Sequence, residues 1–102
     1  YRPALQEGAP GVAQAFGQLH QSSLADGALS HKIKELIALA LSVSARCDFC
    51  IAAHINACLD AGATREEILE ACGVSIMMGG GPSYTYTAYV MECLDELESE
   101  RG

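Results

Sequence analysis

Two cysteines one helical turn apart form the most reactive feature of the sequence, Cys47-Asp48-Phe49-Cys50. This spacing lets the two sulfur atoms meet across a single turn, so a disulfide can form and reopen with little backbone movement. The helix N-terminus predicted at this point favours a thiolate through its free N–H groups and dipole. Because zinc sites use the same spacing, the two cysteines alone leave redox chemistry and zinc binding both open.

His54 follows Cys50 by four residues, which places the two side chains on the same helix face, one turn apart. A histidine at this position can exchange a proton with the Cys50 sulfur, and it therefore favours the redox interpretation. For zinc, three ligands crowded into two turns of one helix fit a tetrahedron poorly, with Cys58 or Glu35 as candidates for the fourth ligand.

The rise per residue of an α-helix predicts that Glu35 lies near His54. It lies ~15 Å before the turn that precedes Cys47, and His54 lies ~10 Å beyond Cys47 on the returning helix. In an antiparallel hairpin the two side chains can meet directly or through a water, and a partly buried carboxylate is suited to act as a base. The alternative is an exposed first-turn glutamate paired with Lys32 or Lys34.

Other cysteines and histidines carry weaker predictions. Cys58 continues the stripe of Cys50 and His54 and is either a third thiol or a small buried apolar side chain. Cys72 and Cys93 occupy positions typical of packing. No partner is predicted for His20 or His31.

Five helices and no strand are predicted, so the expected fold class is all-α. Their expected ranges are about Pro10 to Leu24, His31 to Ala45, Cys47 to Gly62, Arg65 to Met78, and Pro82 to near the end. Gly62 is the stop signal expected to end the third helix, and Thr64 with Glu67 is predicted to form a capping box at the start of the fourth. The second helix is so apolar that burial on several sides is expected. Short loops favour antiparallel neighbours, with a central helical hairpin that joins the Glu35 and His54 segments.

Composition limits the classes of partner. A chain of 102 residues fits one domain, 1–102, and its net charge of −7 argues against nucleic acid or an anionic membrane surface. No apolar stretch approaches the ~20 residues of a membrane span. Five cysteines cannot complete an internal disulfide framework, and with no secretory signal a cytoplasmic location is expected. The positive mean hydropathy of so short a chain predicts self-association.

Three segments together resemble the carboxymuconolactone decarboxylase-like family, in the branch typified by the alkyl hydroperoxidase AhpD. They are Lys34-Glu35-Leu36-Ile37-Ala38-Leu39-Ala40, then Cys47-x-x-Cys50-x-x-x-His54, then Gly79-Gly80-Gly81-Pro82, and the resemblance spans about Leu29 to Leu97. It implies an all-α domain whose helical hairpin gathers the glutamate, both cysteines and the histidine. It also implies a homo-oligomer, a trimer or a hexamer.

The resemblance further implies roles for these residues. Cys50 attacks a hydroperoxide and becomes a sulfenic acid, Cys47 resolves it as a disulfide, and Glu35 and His54 relay protons. A dithiol donor then restores the thiols, and neither a metal nor an organic cofactor is needed. The dipole argument taken alone favours Cys47 as the more acidic thiol. The hydroperoxidase has a second histidine where this chain has Phe49, so the sequence predicts weaker peroxidase activity or another proton route.

Alternative functions stay open at the level of sequence. One is decarboxylation of a muconolactone-type substrate, which needs no thiols. Others are a thiol-disulfide oxidoreductase with a protein client and no peroxidase activity, a zinc-binding structural module, and a non-enzymatic subunit that has kept the fold.

Overall fold

The computed structural model describes residues 2–102, and this part of the chain is all-α, with six helices and no strand. The helices are α1 (Arg2–Gly8), α2 (Pro10–Leu24), α3 (His31–Ser44), α4 (Asp48–Asp60), α5 (Arg65–Gly79) and α6 (Gly81–Arg101). The predicted fold class is confirmed, and the five predicted helices correspond to α2 through α6 with ends within a few residues.

One helix, α1, was not predicted, because its seven residues are too few to show an apolar period. The ring of Pro10 disfavours a helical conformation of the residue before it, and Ala9 accordingly has φ −143°. The chain therefore breaks between α1 and α2 and starts a new helix with Pro10 in its first turn.

Helix α3 lies at the centre of the fold, where it packs against α4, α5 and α6 and contacts α2. The buried apolar core is formed by Leu36, Leu39, Val43, Ile51, Ile55, Cys58, Ala63, Ile68, Cys72, Val90 and Leu94. The expectation that α3 is buried on several sides holds for these three neighbours. On the remaining side Ile37 and Leu41 are exposed, because no other helix within residues 2–102 covers them.

A tight turn joins α3 to α4 and positions the reactive cysteines. Ala45 donates its N–H to the carbonyl of Leu41 at 2.9 Å, and Cys47 donates its own to the carbonyl of Ser42 at 3.1 Å. Between them Arg46 has a φ of 54°, the left-handed conformation that commonly ends a helix. The turn leaves Cys47 as the N-cap residue of α4 and starts the antiparallel hairpin predicted from the sequence.

Local signals in the sequence also set the ends of α4 and α5. Gly62 has a φ of 87° and follows α4, as expected of a glycine stop signal. Thr64 and Glu67 form the predicted capping box, in which the Thr64 hydroxyl accepts from the Glu67 N–H and the Glu67 carboxylate accepts from the Thr64 N–H.

Two features of the surface match the sequence. The acidic residues near the end of the chain lie on α6, where Asp95 and Glu98 pair with Arg65 at 2.9 and 2.6 Å. Along residues 2–102, no helix has both the length and the apolarity that crossing a membrane would require.

Candidate active site

The hairpin of α3 and α4 brings Glu35 and His54 into direct contact. Glu35 Oε1 lies 2.7 Å from His54 Nδ1, and Glu35 is only 2% exposed. The alternative of an exposed glutamate paired with a nearby lysine is therefore wrong. Lys32 instead contacts Glu67 at 3.0 Å, and Lys34 donates to the carbonyl of Ala25 at 2.7 Å.

This contact determines which nitrogen of His54 is available for chemistry. While Glu35 is ionised, its oxygen atoms only accept hydrogen bonds, and Nδ1 then carries the hydrogen that it donates to Glu35. In the neutral ring Nε2 is then the unprotonated nitrogen, which is able to take up a proton. The His54 side chain is 19% exposed, so this nitrogen belongs to a largely enclosed ring.

Cys47 and Cys50 are joined by a disulfide at the start of α4, with their Cα atoms 5.2 Å apart. Both residues are half-buried, and the backbone N–H of Cys50 donates to Cys47 Sγ at 3.3 Å. A thiolate at Cys47 would receive this hydrogen bond together with the positive end of the α4 dipole. Cys50 lies one turn before His54 on the same helix face.

Cys58 continues this face of α4, but it differs from the two disulfide cysteines in being fully buried. Burial raises its pKa to about 12, and the negative charge of Glu35 adds to this effect. Burial likewise raises the pKa of the Cys72 thiol to about 11. Both thiols are protonated and inaccessible in the folded chain, as expected of packing residues rather than of a third redox thiol.

Two histidines for which the sequence predicted no partner lie beside the Glu35–His54 pair. His31 Nε2 is 3.6 Å from Glu35 Oε2, and His31 Nδ1 is 2.6 Å from the carbonyl of Leu24. The His20 ring is stacked on the His54 ring, with centroids 6.0 Å apart and planes inclined by 20°. The spacing of four between His31 and Glu35 is a signal that the sequence offers. The contact of His20 with His54 gives no signal in the sequence, because the two residues are far apart along the chain and meet only through the packing of α2.

The arrangement suits proton transfer to and from a thiol better than metal binding. Across residues 2–102, no three side chains of His, Cys, Asp or Glu converge in a way that could hold a metal ion. Glu35 and His54 are directed at one another, and the two cysteines are joined in the disulfide. What converges here is a disulfide of two neighbouring cysteines with a buried carboxylate–imidazole pair one helical turn away.

Comparison with known proteins gives a consistent family. A model of the carboxymuconolactone decarboxylase family matches residues 10–92. A protein of uncharacterised function from Cupriavidus necator is 36% identical over 96 residues, which cover 94% of this chain and 85% of that protein. A second such protein, from the cox locus of Paracoccus denitrificans, is 36% identical over 87 residues, or 85% of this chain and 78% of that protein.

Solved structures show the same fold. A carboxymuconolactone decarboxylase family protein from Legionella pneumophila is 41% identical and superposes with a TM-score of 0.89, covering 92% of this chain and 84% of that one. A family member from Thermotoga maritima, for which a role in the antioxidative response has been suggested, is 32% identical. Its TM-score is 0.82, and the match covers 88% of this chain and 93% of that one.

The difference in burial among the cysteines predicts selective alkylation. After the Cys47–Cys50 disulfide is reduced, iodoacetamide at neutral pH is expected to modify both of these residues in the folded protein. Cys58 and Cys72 should stay unmodified, because burial raises their pKa and excludes the reagent. Peptide mass spectrometry measures this, with a urea-unfolded sample as the control in which all five cysteines react. Rapid labelling of Cys58 in the native protein would contradict the assignment.

Proposed function

The chain belongs to the carboxymuconolactone decarboxylase family, and from this starting point we propose that it is a thiol-dependent hydroperoxide reductase of the AhpD-like branch. In this proposal Cys47 and Cys50 cycle between dithiol and disulfide, and Glu35 and His54 form the proton relay. The observation that carries the proposal is the buried 2.7 Å contact between Glu35 and His54, one helical turn from Cys50. A relay in this position gives a thiol both a base and a route for its proton.

The oxidative half of the cycle starts with transfer of the Cys50 thiol proton to His54 Nε2. The Cys50 thiolate then attacks one oxygen of the hydroperoxide and breaks the O–O bond, which leaves a sulfenic acid on Cys50. The departing alkoxide takes the proton from His54 and leaves as an alcohol. Attack by the Cys47 sulfur on the sulfenic acid forms the disulfide and releases water. Two thiols and one hydroperoxide thus become one disulfide, one alcohol and one water.

The assignment of Cys50 as the attacking thiol rests on its relation to His54. Cys47 has the N-cap hydrogen bond, which favours its thiolate, whereas Cys50 shares a helix face with the proton acceptor. A thiolate favoured at Cys47 suits the resolving role equally well, because the resolving sulfur must also attack as a thiolate. Both cysteines therefore contribute, one to each bond-forming step.

In the reductive half of the cycle, a dithiol donor exchanges with the Cys47–Cys50 disulfide through a mixed disulfide. The donor leaves as a disulfide and both enzyme thiols are restored. Such a cycle suits the cytoplasm, where dithiol donors are kept reduced. The suggested antioxidative role of the Thermotoga maritima relative agrees with peroxide as the oxidant.

A second candidate is thiol-disulfide exchange with a protein client, and the exposure of Phe49 favours it. Phe49 lies between the two cysteines and is 88% exposed, so an apolar ring stands beside the disulfide. Aromatic side chains are frequent anchors of protein interfaces. A protein donor or client could therefore dock on Phe49 and present its own thiol to the disulfide. Decarboxylation, by contrast, would leave the paired cysteines without a role.

We also propose that the protein is a homo-oligomer, a trimer or a hexamer. Helix α2 has no buried residue, and its apolar Val12, Phe16 and Leu19 are between 62% and 64% exposed. A groove between α3 and α5, lined by Ile37, Leu41 and other apolar side chains, is also open. A chain of this size gains stability by covering such surfaces with copies of itself.

Hydroperoxide reduction driven by dithiothreitol tests the main proposal. Cys50→Ser is expected to abolish turnover, because no sulfur is left beside His54. In the absence of dithiothreitol, Cys47→Ser should consume one equivalent of peroxide and stop at a Cys50 sulfenic acid, which dimedone traps. Glu35→Gln keeps a hydrogen-bonding side chain but cannot take up a proton, and it should lower kcat/KM by about 10²–10⁴-fold.

Cys93→Ser serves as the matched control, because Cys93 lies outside the hairpin and should not affect turnover. Full activity of the Cys50→Ser protein would eliminate the mechanism. An intact protein that is inert towards peroxide, while its disulfide still forms and is reduced, would leave thiol-disulfide exchange as the function.

The Phe49 interpretation predicts a difference between donors. Replacing Phe49 with Ser should slow reduction of the disulfide by a dithiol protein such as a thioredoxin about tenfold, as expected on loss of an aromatic anchor. The rate with dithiothreitol should fall much less, since a small donor needs no docking surface. Asp48→Ser, at the neighbouring exposed position, is the control. Equal effects of Phe49→Ser on both donors would argue against docking.

The oligomer is tested by size-exclusion chromatography with light scattering. The intact chain of 10.7 kDa is expected at three or six times this mass. Leu41→Asp places a charge on the open side of α3 and should shift the protein towards the monomer. Gln14→Asp, at an exposed polar position of α2, is the control and should leave the mass unchanged. A monomeric intact protein at micromolar concentration would contradict the proposal.

A further inference from the structure

His31 touches the proton relay on the side away from the disulfide. It is the first residue of α3, four residues before Glu35, and its Nε2 lies 3.6 Å from Glu35 Oε2. The opposite oxygen of the same carboxylate is the one that contacts His54. Glu35 therefore lies between two imidazole rings, each facing a different carboxylate oxygen.

The carbonyl of Leu24 determines which nitrogen of His31 can exchange a proton. A carbonyl oxygen only accepts, so at 2.6 Å His31 Nδ1 must carry a hydrogen and donate it. Nε2 is then the only ring nitrogen whose hydrogen can come and go, and it faces Glu35. A bare Nε2 and a carboxylate oxygen would present two lone pairs to one another, and a proton shared between them removes this repulsion.

His31 also joins the buried pair to water. Its side chain is 42% exposed, whereas the side chains of Glu35 and His54 are 3% and 19% exposed. A proton from bulk water can reach His31 directly, but it reaches Glu35 only through a neighbour. The 3.6 Å separation is about 0.6 Å longer than a hydrogen bond, a gap that a half-exposed ring can close. Hydrogen bonds of catalytic groups are often long before the reacting complex forms.

We propose that His31 is the solvent-side end of the proton relay, and that it supplies a proton when the Cys47–Cys50 disulfide is reduced. The inference rests on the dithiol cycle proposed above. A thiol donor attacks as a thiolate, so it has already lost one proton to water before the exchange. The enzyme sulfur released by this attack is itself a thiolate and needs one proton in return. Peroxide reduction needs no such proton, because its hydrogens balance within the site.

The path can be written atom by atom. His31 takes a proton from water on Nε2 and transfers it to Glu35 Oε2. The two oxygens of a carboxyl group exchange by rotation about its terminal bond, which turns the proton towards His54 Nδ1. Protonated Glu35 donates to the His54 tautomer that has a bare Nδ1 and carries its hydrogen on Nε2. Nδ1 takes the proton and Nε2 gives its hydrogen to the thiolate, which leaves His54 with its hydrogen on Nδ1, the tautomer that donates to ionised Glu35. One proton has then left water and one thiol has formed, while His31 and Glu35 return to their starting charges.

Two substitutions separate this role from simple anchoring of the chain before α3. The side-chain N–H of asparagine occupies nearly the position of His31 Nδ1–H, so His31→Asn keeps the donor to Leu24 but has no counterpart of Nε2. His31→Ala loses both. Each variant is prepared as the disulfide and mixed with dithiothreitol, and free thiols are counted after acid quenching at a series of times.

In both variants, dithiothreitol is expected to reduce the Cys47–Cys50 disulfide about tenfold more slowly than in the intact protein. This is less than the 10²–10⁴-fold typical of a group that contacts the reacting atom, because His31 acts through Glu35. Added imidazole should restore the rate of both variants and leave the rate of the intact protein unchanged. Sodium chloride at equal ionic strength should not restore the rate of either variant. Lys34→Met is the structural control, since it removes the tether from Lys34 to the Ala25 carbonyl without removing an imidazole.

A slow His31→Ala protein beside a normal His31→Asn protein would show that His31 only anchors the chain, and would overturn the inference. So would normal rates in both, or slow rates that imidazole does not restore. If His31→Ala does not fold, as judged by circular dichroism, His31→Asn and its rescue decide the matter. The assay contains no peroxide, so a protein inert towards peroxide could still show the His31 effect, which separates failure of the proposed peroxidase activity from failure of this inference.

Discussion

Burial of the Glu35 carboxylate is the constraint on which the rest of the site depends. Burial of a carboxylate costs several kcal/mol of desolvation free energy, and removal of one partner from a buried ion pair costs about 3–5 kcal/mol. The surrounding structure must therefore supply partners. Here the partners are the imidazoles of His54 at 2.7 Å and His31 at 3.6 Å. One of them comes from α4 and the other from the first turn of α3 itself. The contact between Glu35 and His54 thus joins the two helices of the hairpin and also forms the proposed proton relay.

Four of the five cysteines form two pairs that differ in position rather than in type. Cys47 and Cys50 lie at the exposed start of α4, where N–H groups are free and a single turn brings their sulfur atoms together. Cys58 and Cys72 lie in the core between α3 and its neighbours, where burial raises their pKa and keeps them protonated. The proposed dithiol cycle would benefit from this separation, because an accessible third thiol could exchange with the Cys47–Cys50 disulfide.

Apolar side chains on the surface fall into two groups with different consequences. Those on α2 and along the open side of α3 are exposed, as expected of faces that the proposed oligomer would cover. Phe49 lies instead between the two cysteines of the disulfide, where a donor or client in the proposed cycle would approach. An interface built on α2 and α3 would therefore leave the start of α4 accessible to its partners.

The sequence by itself determined the helices and predicted which residues the hairpin gathers, because both depend on local spacing. Glycine stops, a capping box and apolar periods predicted α2 through α6, and the spacing of Glu35, Cys47, Cys50 and His54 predicted the hairpin that gathers them. The sequence left open whether Glu35 is buried or exposed, since burial depends on which neighbours cover a helix. It also gave no partner for His20 or His31, because their contacts require the packing of α2 and of the chain before α3. Only the tertiary structure decided these points, for a spacing along one helix places side chains on a face but does not say what that face meets.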